Sequence, residues 1–259
     1  MVHDLEHRID IASGAAWEAG KATLRWFQAS PEVEWKKDRT PVTAADRESE
    51  RILTAILSRE FPGDAFLGEE TGARPGSSGW RWIVDPLDGT KSFIQGVPLY
   101  GVLVGLEDPG GDLVGGVACL PALGELVTAF RGDGCRVNGR RARVSGIGSL
   151  AEACVSFTSL DTFEEASRLG ALESLGKRCR IVRGWGDCYG HILVATGRAE
   201  VMLDPILAEW DCAALIPILE EAGGTFTDWN WIRTSRGGSG ISTNGLVSPE
   251  LRSVLEGAA

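Results

Sequence analysis

Residues 82–91 read WIVDPLDGTK, an apolar run that ends in two carboxylates three positions apart. The first three residues have the pattern of a buried strand. We expect Asp85 at the carboxyl end of that strand, because Pro86 cannot donate to a hydrogen-bond ladder. The turn that follows would bring the side chains of Asp85 and Asp88 together, and two adjacent carboxylates need a cation or a shared proton. An ordinary surface Asp-Gly turn is the alternative, so other segments must distinguish the two interpretations.

The composition is that of a globular protein with an excess of negative charge. The chain has 259 residues, which is enough for one large domain or two small ones. Its 36 acidic and 26 basic residues give a formal net charge of −10. This charge argues against a nucleic-acid partner, because such binders rely on contacts with phosphate groups.

The cysteines and the N-terminus indicate a reducing compartment. The six cysteines include no C-x-x-C pair, and with only three histidines neither a zinc site nor a disulfide framework is expected. The first ten residues, MVHDLEHRID, are charged and lack the apolar core of a signal peptide. No apolar run is long enough to span a bilayer. We expect a cytoplasmic protein with reduced thiols and no membrane partner.

The first half of the chain, residues 1–145, has the pattern of an α+β unit. Apolar residues at three- and four-residue steps predict an amphipathic first helix that includes Leu5, Ile9, Ala12, Ala16, Leu24 and Phe27. A second helix begins after Thr43, an N-cap residue with Asp46 three positions on. Strand-like runs that predict an antiparallel meander cover residues 99–108, 113–120 and 124–130.

The second half, residues 146–259, has the pattern of an α/β unit. Short strands alternate with helical segments that are expected near residues 162–174, 187–197, 211–222 and 248–257. The helix that begins at Asp211 has an apolar face and ends at two glycines. The predicted fold class is therefore α/β, with an α+β N-terminal half and an α/β C-terminal half.

Three segments place carboxylates at strand ends or helix starts. They contain Glu69 and Glu70 after a short strand, Asp85 and Asp88, and Asp211. Asp211 is either a partner of the helix dipole or a metal ligand. Ligands that offer only oxygen select Mg²⁺ or Mn²⁺ over zinc.

Gly89 and Thr90 would begin a helix whose first N–H groups can receive a phosphate. A hard metal, a phosphate-binding helix start and a hydroxyl would then share one small site. These residue types together indicate a metal-dependent phosphoryl hydrolase.

Several segments resemble the signature segments of the inositol monophosphatase family. They are GEE at 68–70, WIVDPLDGTKSF at 82–93 and EWDCAALIPILEEAGG at 209–224, with VTAAD at 42–46 and GCRVNG at 134–139. The resemblance covers nearly the whole chain. It implies a layered αβαβα sandwich, a Mg²⁺-dependent phosphate monoesterase with two or three ions in each site, and a homodimer.

The resemblance also implies which residues bind the metal. Glu69 and Asp85 would hold a first magnesium together with the backbone carbonyl of Leu87. Asp85, Asp88 and Asp211 would hold a second, closer to the leaving-group oxygen. Two divalent ions that share one carboxylate can stabilise both the entering and the leaving oxygen.

Catalytic and phosphate-binding roles carry over by position in the same way. Asp46 and Glu69 would orient waters on a third ion, and Glu69 and Thr90 would position and deprotonate the attacking water. The amides of Gly89 and Thr90 would bind the phosphate. Because phosphoryl transfer depends mostly on positioning and charge, no nucleophilic Ser or Cys is assigned.

Within the family, the segments DGTKSF, GWGDCYGH and ATGRAEVMLDP are most similar to the branch that hydrolyses histidinol phosphate in histidine biosynthesis. Asp187 and Asp204 fall where family members contact the non-phosphate end of the substrate. Two acids suit the ammonium and imidazole of histidinol better than a polyol. A helix N-cap for Asp187, a turn before Pro205 for Asp204, and either a stacking or a structural role for His191 stay open.

Two other functions remain as alternatives. The first is an inositol-1-phosphatase or a sugar-phosphate monoesterase of broad specificity. The second is a regulatory binding protein on the same fold, against which the complete set of acidic residues and Thr90 argues. A comparison of phosphate release from histidinol phosphate and from inositol 1-phosphate distinguishes a histidinol phosphatase from the first of these alternatives.

Overall fold

The computed structural model describes residues 2–29, 33–35 and 41–257. The helices are α1 (Val2–Thr23), α2 (Ala44–Glu60), α3 (Thr90–Ile94), α4 (Leu160–Glu165), α5 (Leu169–Gly176), α6 (Cys188–Ala195), α7 (Glu209–Ala213), α8 (Leu215–Glu221) and α9 (Ser248–Glu256). The strands are β1 (Glu34–Trp35), β2 (Pro41–Val42), β3 (Ala65–Gly68), β4 (Gly72–Arg74), β5 (Arg81–Asp88), β6 (Gly101–Glu107), β7 (Leu113–Leu120), β8 (Glu125–Phe130), β9 (Arg136–Val137), β10 (Arg140–Arg141), β11 (Cys154–Phe157), β12 (Ile181–Arg183), β13 (Val201–Asp204), β14 (Thr225–Thr227) and β15 (Gly240–Thr243).

Two large sheets organise the chain. The first has eight strands in the order β10-β9-β8-β7-β6-β5-β3-β4, and only its β3–β5 pair is parallel among the described strands. The second has five strands in the order β12-β11-β13-β15-β14, parallel at β12-β11-β13 and antiparallel at the other two pairs. The predicted antiparallel meander is the run from β5 to β10.

Three clusters of apolar side chains hold five layers together. Helices α1 and α2 pack on the outer face of the eight-stranded sheet. Helices α6, α7 and α8 lie between the two sheets, and their shared core joins Ile83 and Leu103 of the first sheet to Met202 and Phe226 of the second. Helices α5 and α9 cover the outer face of the second sheet. The predicted layered αβαβα fold is confirmed, while the division of the chain near residue 145 stays a prediction.

Strand β5 continues past the point at which the sequence predicted its end. Asp85 pairs with Leu103 and Asp88 with Gly101, so β5 uses one residue more than β6 over this stretch. This is a β-bulge, and a bulge tolerates Pro86 because the extra residue leaves the ladder. The prediction that the strand ends at Asp85 was therefore wrong.

The bulge decides where the two carboxylates point. Ile83 belongs to the core of the central helix layer, and a period of two puts Asp85 on the same face of the sheet. A regular strand would turn Asp88, three positions on, to the opposite face. The additional residue of the bulge returns Asp88 to the face of Asp85.

The helix predicted over 211–222 is two helices. It begins earlier, at Glu209, and is interrupted at Ala214 between α7 and α8. Pro217 has no N–H and cannot bond to the carbonyl of Ala213, so a continuous helix is not possible here. The helix expected over 162–174 is likewise divided, into α4 and α5.

The first two helices largely agree with the sequence-based prediction. Thr43 caps α2, and the carboxylate of Asp46 accepts from the Thr43 amide at 2.8 Å, which confirms the capping arrangement. Helix α1 ends at Thr23, however, so Leu24 does not belong to its apolar face and is 40% exposed. Phe27 packs instead on the rings of Phe93 and Tyr100.

Two glycines let the central helices approach the first sheet. A Cβ on Gly116 of β7 would lie 2.1 Å from the carbonyl oxygen of Ala214, and one on Gly105 of β6 would lie 2.7 Å from the carbonyl carbon of Ala213. The contact is with backbone, which cannot rotate away. The break between α7 and α8 therefore rests directly on the sheet.

We expect Gly116→Ala to destabilise the protein by about 1–3 kcal/mol, because the new methyl group forces α8 away from the sheet. Urea unfolding measures the change. Gly14→Ala is the matched control, since Gly14 lies in α1 with no heavy atom near its Cβ position. The control should stabilise by roughly 0.5–1 kcal/mol. Equal unfolding midpoints for Gly116→Ala and the wild type would contradict the close packing.

Candidate active site

A cleft of about 540 Å³ lies where the carboxyl end of β5 meets the starts of α3, α6 and α7. Most of the predicted site residues line it: Glu69, Asp85, Leu87, Asp88, Gly89, Thr90, Asp187, Asp204 and Asp211. Asp46 is buried behind Thr90 and does not line the cleft. The fold thus brings together segments that are far apart in the sequence.

Three of these carboxylates form one cluster. One oxygen from each of Asp85, Asp88 and Asp211 lies within 4.8 Å of the other two. Asp85 and Asp88 come from the bulged end of β5, and Asp211 comes from the first turn of α7. The donor set is entirely oxygen, which suits a hard divalent cation.

The electrostatics of the cluster favour a cation. Burial raises the pKa of Asp85 well above its ordinary value, and the charges of Glu69, Asp88 and Asp211 raise it further. Burial also raises the pKa of Asp88, to which Asp187 and Asp211 contribute. Burial raises the pKa of Asp211 to about 6. Lys91, on the same cleft, pairs with Asp161 instead, so the residues present fit a metal site.

Each carboxylate of the cluster is also held by one backbone amide. Asp85 Oδ1 accepts from the amide of Leu87 at 2.9 Å, and Asp211 Oδ2 accepts from that of Ala208 at 2.7 Å. Asp88 Oδ2 accepts from the amide of Cys188, the first residue of α6, at 2.6 Å. Asp211 therefore accepts an amide beside the start of α7 and also belongs to the cluster. Its role as a metal ligand stays a prediction.

Thr90 connects the cleft to Asp46. Its Oγ1 lies 3.0 Å from the carbonyl oxygen of Leu87 and 3.3 Å from Asp46 Oδ1. The other oxygen of Asp46 accepts from the amide and the hydroxyl of Thr43. Burial raises the pKa of Asp46, although the hydrogen bonds from Thr43 oppose the shift. Asp46 thus faces the Thr90 hydroxyl and is not one of the three cluster residues.

Gly89 forms the turn between β5 and α3. Its φ of 80° is left-handed, and a Cβ there would lie 3.0 Å from the carbonyl oxygen of Leu99 and 3.1 Å from Asp187 Oδ2. Both the backbone conformation and the limited space require glycine. Helix α3 begins with Thr90 and opens on the cleft, as the sequence predicted.

Glu69 lies on the cleft beside the cluster, and the turn that carries it depends on a residue that the sequence analysis missed. Glu50 of α2 is buried, and its carboxylate accepts from the amides of Glu70 and Thr71, each at 2.8 Å, and from the Thr71 hydroxyl. Glu50 follows Asp46 by one helical turn, so the two acids share a face of α2. That spacing is the signal that could have identified Glu50.

Asp187 and Asp204 line the same cleft, and the charge of Asp204 contributes to the raised pKa of Asp211. Asp187 holds the N-cap position of α6 at a φ of 54°, but its side chain makes no cap bond. It accepts instead from Ser92 Oγ at 3.1 Å. Burial, followed by the charge of Asp204, raises the pKa of Asp187 to about 7. The N-cap position that the sequence left open for Asp187 is therefore confirmed, although its side chain bonds no amide of α6.

His191 does not face the substrate space. It is buried, and its Nε2 lies 3.1 Å from Asp204 Oδ2. Of the two interpretations that the sequence left open for His191, stacking on a substrate is wrong and an internal position is confirmed. Asp204 stands between His191 and the cleft.

Several cleft residues were not predicted: Pro41, Lys91, Ser92, Thr158, Ser159, Thr162, Ile206, Leu207, Ala208 and Trp210. Most come from loops or from short helices. Lys91, Ser92 and Trp210 lie within the signature segments at 82–93 and 209–224, but those segments gave them no role. The remaining residues belong to no chemical motif that the sequence analysis used.

The chain matches known proteins over almost its full length. The model of the inositol monophosphatase family matches residues 4–254. A histidinol-phosphatase of Chlorobaculum parvum is 44% identical over 253 residues, 97% of this chain and 96% of that protein. A histidinol-phosphatase of Mycobacterium tuberculosis is 38% identical over 257 residues, 97% of each. The crystal structure of the extragenic suppressor protein suhB from Bartonella henselae has a TM-score of 0.89 at 32% identity, covering 95% of this chain and 97% of that one.

None of the helices in the described part of the chain combines the length and the apolar character needed to span a lipid bilayer. All six cysteines are free thiols, and five of them are buried.

Asp211 of the cluster and Asp187 on the same cleft should make the stability of the metal-free protein depend on pH. In the folded state the pKa of Asp211 is about 6 and that of Asp187 about 7, against an ordinary value of 3.8. The folded protein therefore binds more protons than the unfolded chain, and its free energy of unfolding falls as the pH rises from about 4 to about 7. Asp88→Asn removes one charge and keeps an oxygen for the Cys188 amide.

In chelator-treated protein at pH 8, we expect Asp88→Asn to unfold at or above the wild-type temperature while its phosphatase activity is nearly lost. Thermal unfolding at pH 5 and pH 8 measures the first effect and phosphate release the second. Asp64→Asn is the matched control, because the buried Asp64 pairs with Arg8. Breaking that pair should cost about 3–5 kcal/mol. If both variants lose the same amount of stability, charge repulsion in the cluster does not lower the stability of the metal-free wild type.

Proposed function

Because the chain belongs to the inositol monophosphatase family and is a phosphatase, we propose that it hydrolyses histidinol phosphate to histidinol and phosphate in histidine biosynthesis. The observation that carries this proposal is a second acidic pair, Asp187 and Asp204, in the same cleft as the metal cluster. One end of the cleft suits a metal and a phosphate. The other end suits a cation on the alcohol that leaves.

The family is metal-dependent, and the ion proposed here is Mg²⁺, with two or three ions in each site. Asp85, Asp88 and Asp211 would hold it together with Glu69 and the carbonyl of Leu87. The all-oxygen donor set supports this choice. When bound, the metal supplies the positive charge that stabilises the charge developing on the phosphoryl group.

Thr90 and Asp46 would prepare the attacking water. The Thr90 hydroxyl can accept a hydrogen bond from the water and donate its own proton toward Asp46 Oδ1, 3.3 Å away. Because burial raises the pKa of Asp46, its carboxylate is a stronger base than an exposed aspartate. Glu69 would orient the same water from the other side.

The phosphate and the alcohol would bind at separate places. The amides of Gly89 and Thr90, where β5 turns into α3, would bind the phosphate oxygens. Asp187 and Asp204 would bind the ammonium or imidazole of histidinol by charge-assisted hydrogen bonds. The strained φ of 54° at Asp187 supports a functional role, because non-glycine residues adopt this region at a cost.

A sugar-phosphate or inositol-phosphate monoesterase is the second candidate. The observation that favours it is the group of hydroxyls from Thr158, Ser159 and Thr162 on the cleft wall. Hydroxyl side chains donate to and accept from a polyol, so the wall does not restrict the substrate to a cation.

We also propose that the protein is a cytoplasmic homodimer. The free thiols support a reducing compartment. Leu160 and Trp185 are exposed, on segments that approach each other at Thr158 and Gly186. Apolar side chains exposed together suit a protein interface. A protein that sediments only as a monomer at micromolar concentration would contradict the dimer.

The substrate is tested by phosphate release with Mg²⁺ from histidinol phosphate, inositol 1-phosphate and glycerol 2-phosphate. We expect the highest kcat/KM for histidinol phosphate. Asp204→Asn should lower that value about 10- to 150-fold, the equivalent of a charge-assisted hydrogen bond, and should change glycerol 2-phosphate hydrolysis much less. Faster hydrolysis of inositol 1-phosphate by the wild type would instead favour the second candidate.

The role of Thr90 is tested by removal of its hydroxyl. We expect Thr90→Ala to lower kcat by roughly 10²-fold or more with little change in KM, because the hydroxyl positions the water rather than the substrate. Thr90→Ser keeps a hydroxyl and is the matched control, so it should retain most activity. A large increase in KM at constant kcat would make Thr90 a binding residue.

A further inference from the structure

A buried chain of three polar side chains ends at the cleft. His191 Nδ1 lies 2.6 Å from Ser242 Oγ, and His191 Nε2 lies 3.1 Å from Asp204 Oδ2. Exposure is 1% for His191, 0% for Ser242 and 2% for Asp204. Only Asp204 lines the cleft. The histidine and the serine therefore act on the cleft through Asp204.

The direction of these hydrogen bonds follows from the groups themselves. A carboxylate only accepts, so the hydrogen bond to Asp204 is donated by His191 Nε2–H. Nδ1, the other ring nitrogen, has the Ser242 hydroxyl as its partner. Each polar atom of the ring has a partner, and the ring has one favoured orientation.

The surrounding fold holds His191 firmly in place. It lies on α6, and the glycine before it lets the helix approach β13, since a Cβ on Gly190 would lie 2.3 Å from Met202 Sδ and 2.7 Å from the carbonyl oxygen of Trp185. Ser242 pairs with Met202 across β13 and β15. The ring of Phe226 covers the imidazole at 5.7 Å between centroids.

We propose that His191 is a specificity-positioning residue: through its Nε2–H it holds the Asp204 carboxylate on the cleft wall, ready to bind a cationic group on the alcohol part of a phosphate ester. The proposal rests on the proposed function and adds the residue that fixes its specificity. The class of ligand is a phosphate monoester that carries a primary ammonium or an imidazolium. His191 itself does not touch the substrate.

Asp187, the other acid of the pair, is held in a comparable way. It accepts from Ser92 Oγ at 3.1 Å, and its own amide lies 3.2 Å from Thr158 Oγ1. Each carboxylate thus receives one donor from the protein. A carboxylate has capacity for further hydrogen bonds, which a substrate cation can supply.

His191→Met tests the proposal, because it fills the buried space with a side chain of comparable length and removes the donor. We expect KM for histidinol phosphate to rise about tenfold with little change in kcat, which corresponds to the loss of one charge-assisted contact. Inhibition by histidinol, which has the cation and no phosphate, should weaken by a similar factor. Hydrolysis of glycerol 2-phosphate, which has no cation, should change by less than about threefold by the same reasoning. His191→Gln can donate from nearly the same place, so its KM for histidinol phosphate should be close to the wild-type value.

Two further variants separate positioning from general loss of stability. Thr225→Val removes a hydrogen bond to Thr243 in the same sheet and should leave the substrate preference unchanged. If His191→Met does not fold, Ser242→Ala takes its place and should shift KM in the same direction by a smaller factor. Equal losses on the cationic and the neutral ester, or unchanged inhibition by histidinol, would overturn the proposal.

Failure of the proposed function gives a different result. A wild type that does not hydrolyse histidinol phosphate refutes that function alone. The comparison is then made between ethanolamine phosphate, a cationic ester, and glycerol 2-phosphate. A selective loss of the cationic ester in His191→Met supports the positioning role, and an equal loss of both refutes it.

Discussion

The site is built around the mutual repulsion of three carboxylates, of which Asp85 is buried and Asp88 and Asp211 are half-buried. Asp85, Asp88 and Asp211 lie within 4.8 Å of one another and burial raises the pKa of each. A folded chain tolerates this arrangement because each carboxylate accepts one backbone amide. These amides fix the positions of the carboxylates and only partly offset the repulsion. The remaining unfavourable energy is of the kind that a bound divalent cation relieves, which supports the proposed metal site.

Several irregular features of the fold bring distant segments together at the cluster. The bulge in β5 turns Asp88 to the face of Asp85, and the break before α8 sets the short helix of Asp211 against the sheet. Gly116 provides the space for that approach. Each of these features is a local departure from regular secondary structure, and each helps to position residues of the cluster.

Helix α6 links the two ends of the cleft. Its first amide bonds to Asp88 in the acidic cluster, and its fourth residue, His191, bonds to Asp204 on the cleft wall. Between them, Asp187 stands at the N-cap with its side chain turned toward Ser92. A single short helix therefore sets the distance between the place proposed for the phosphate and the place proposed for the alcohol. This rigid spacing is a physical basis for substrate selection in a family whose metal chemistry is common to all its substrates.

The sequence by itself determined most helices and strands through the periodicity of apolar residues, and its signature segments indicated the family. The resemblance to that family then implied the layered fold and the grouping of Asp85, Asp88 and Asp211. The sequence also determined the Thr43–Asp46 cap, whose partners are three positions apart. It did not determine the bulge at Pro86, the contact of Asp88 with the Cys188 amide 100 positions away, or the partners of His191. Those contacts join residues that have no relation along the chain. Only the packing of α6 between two sheets brings them within hydrogen-bond distance, so the tertiary structure decided them.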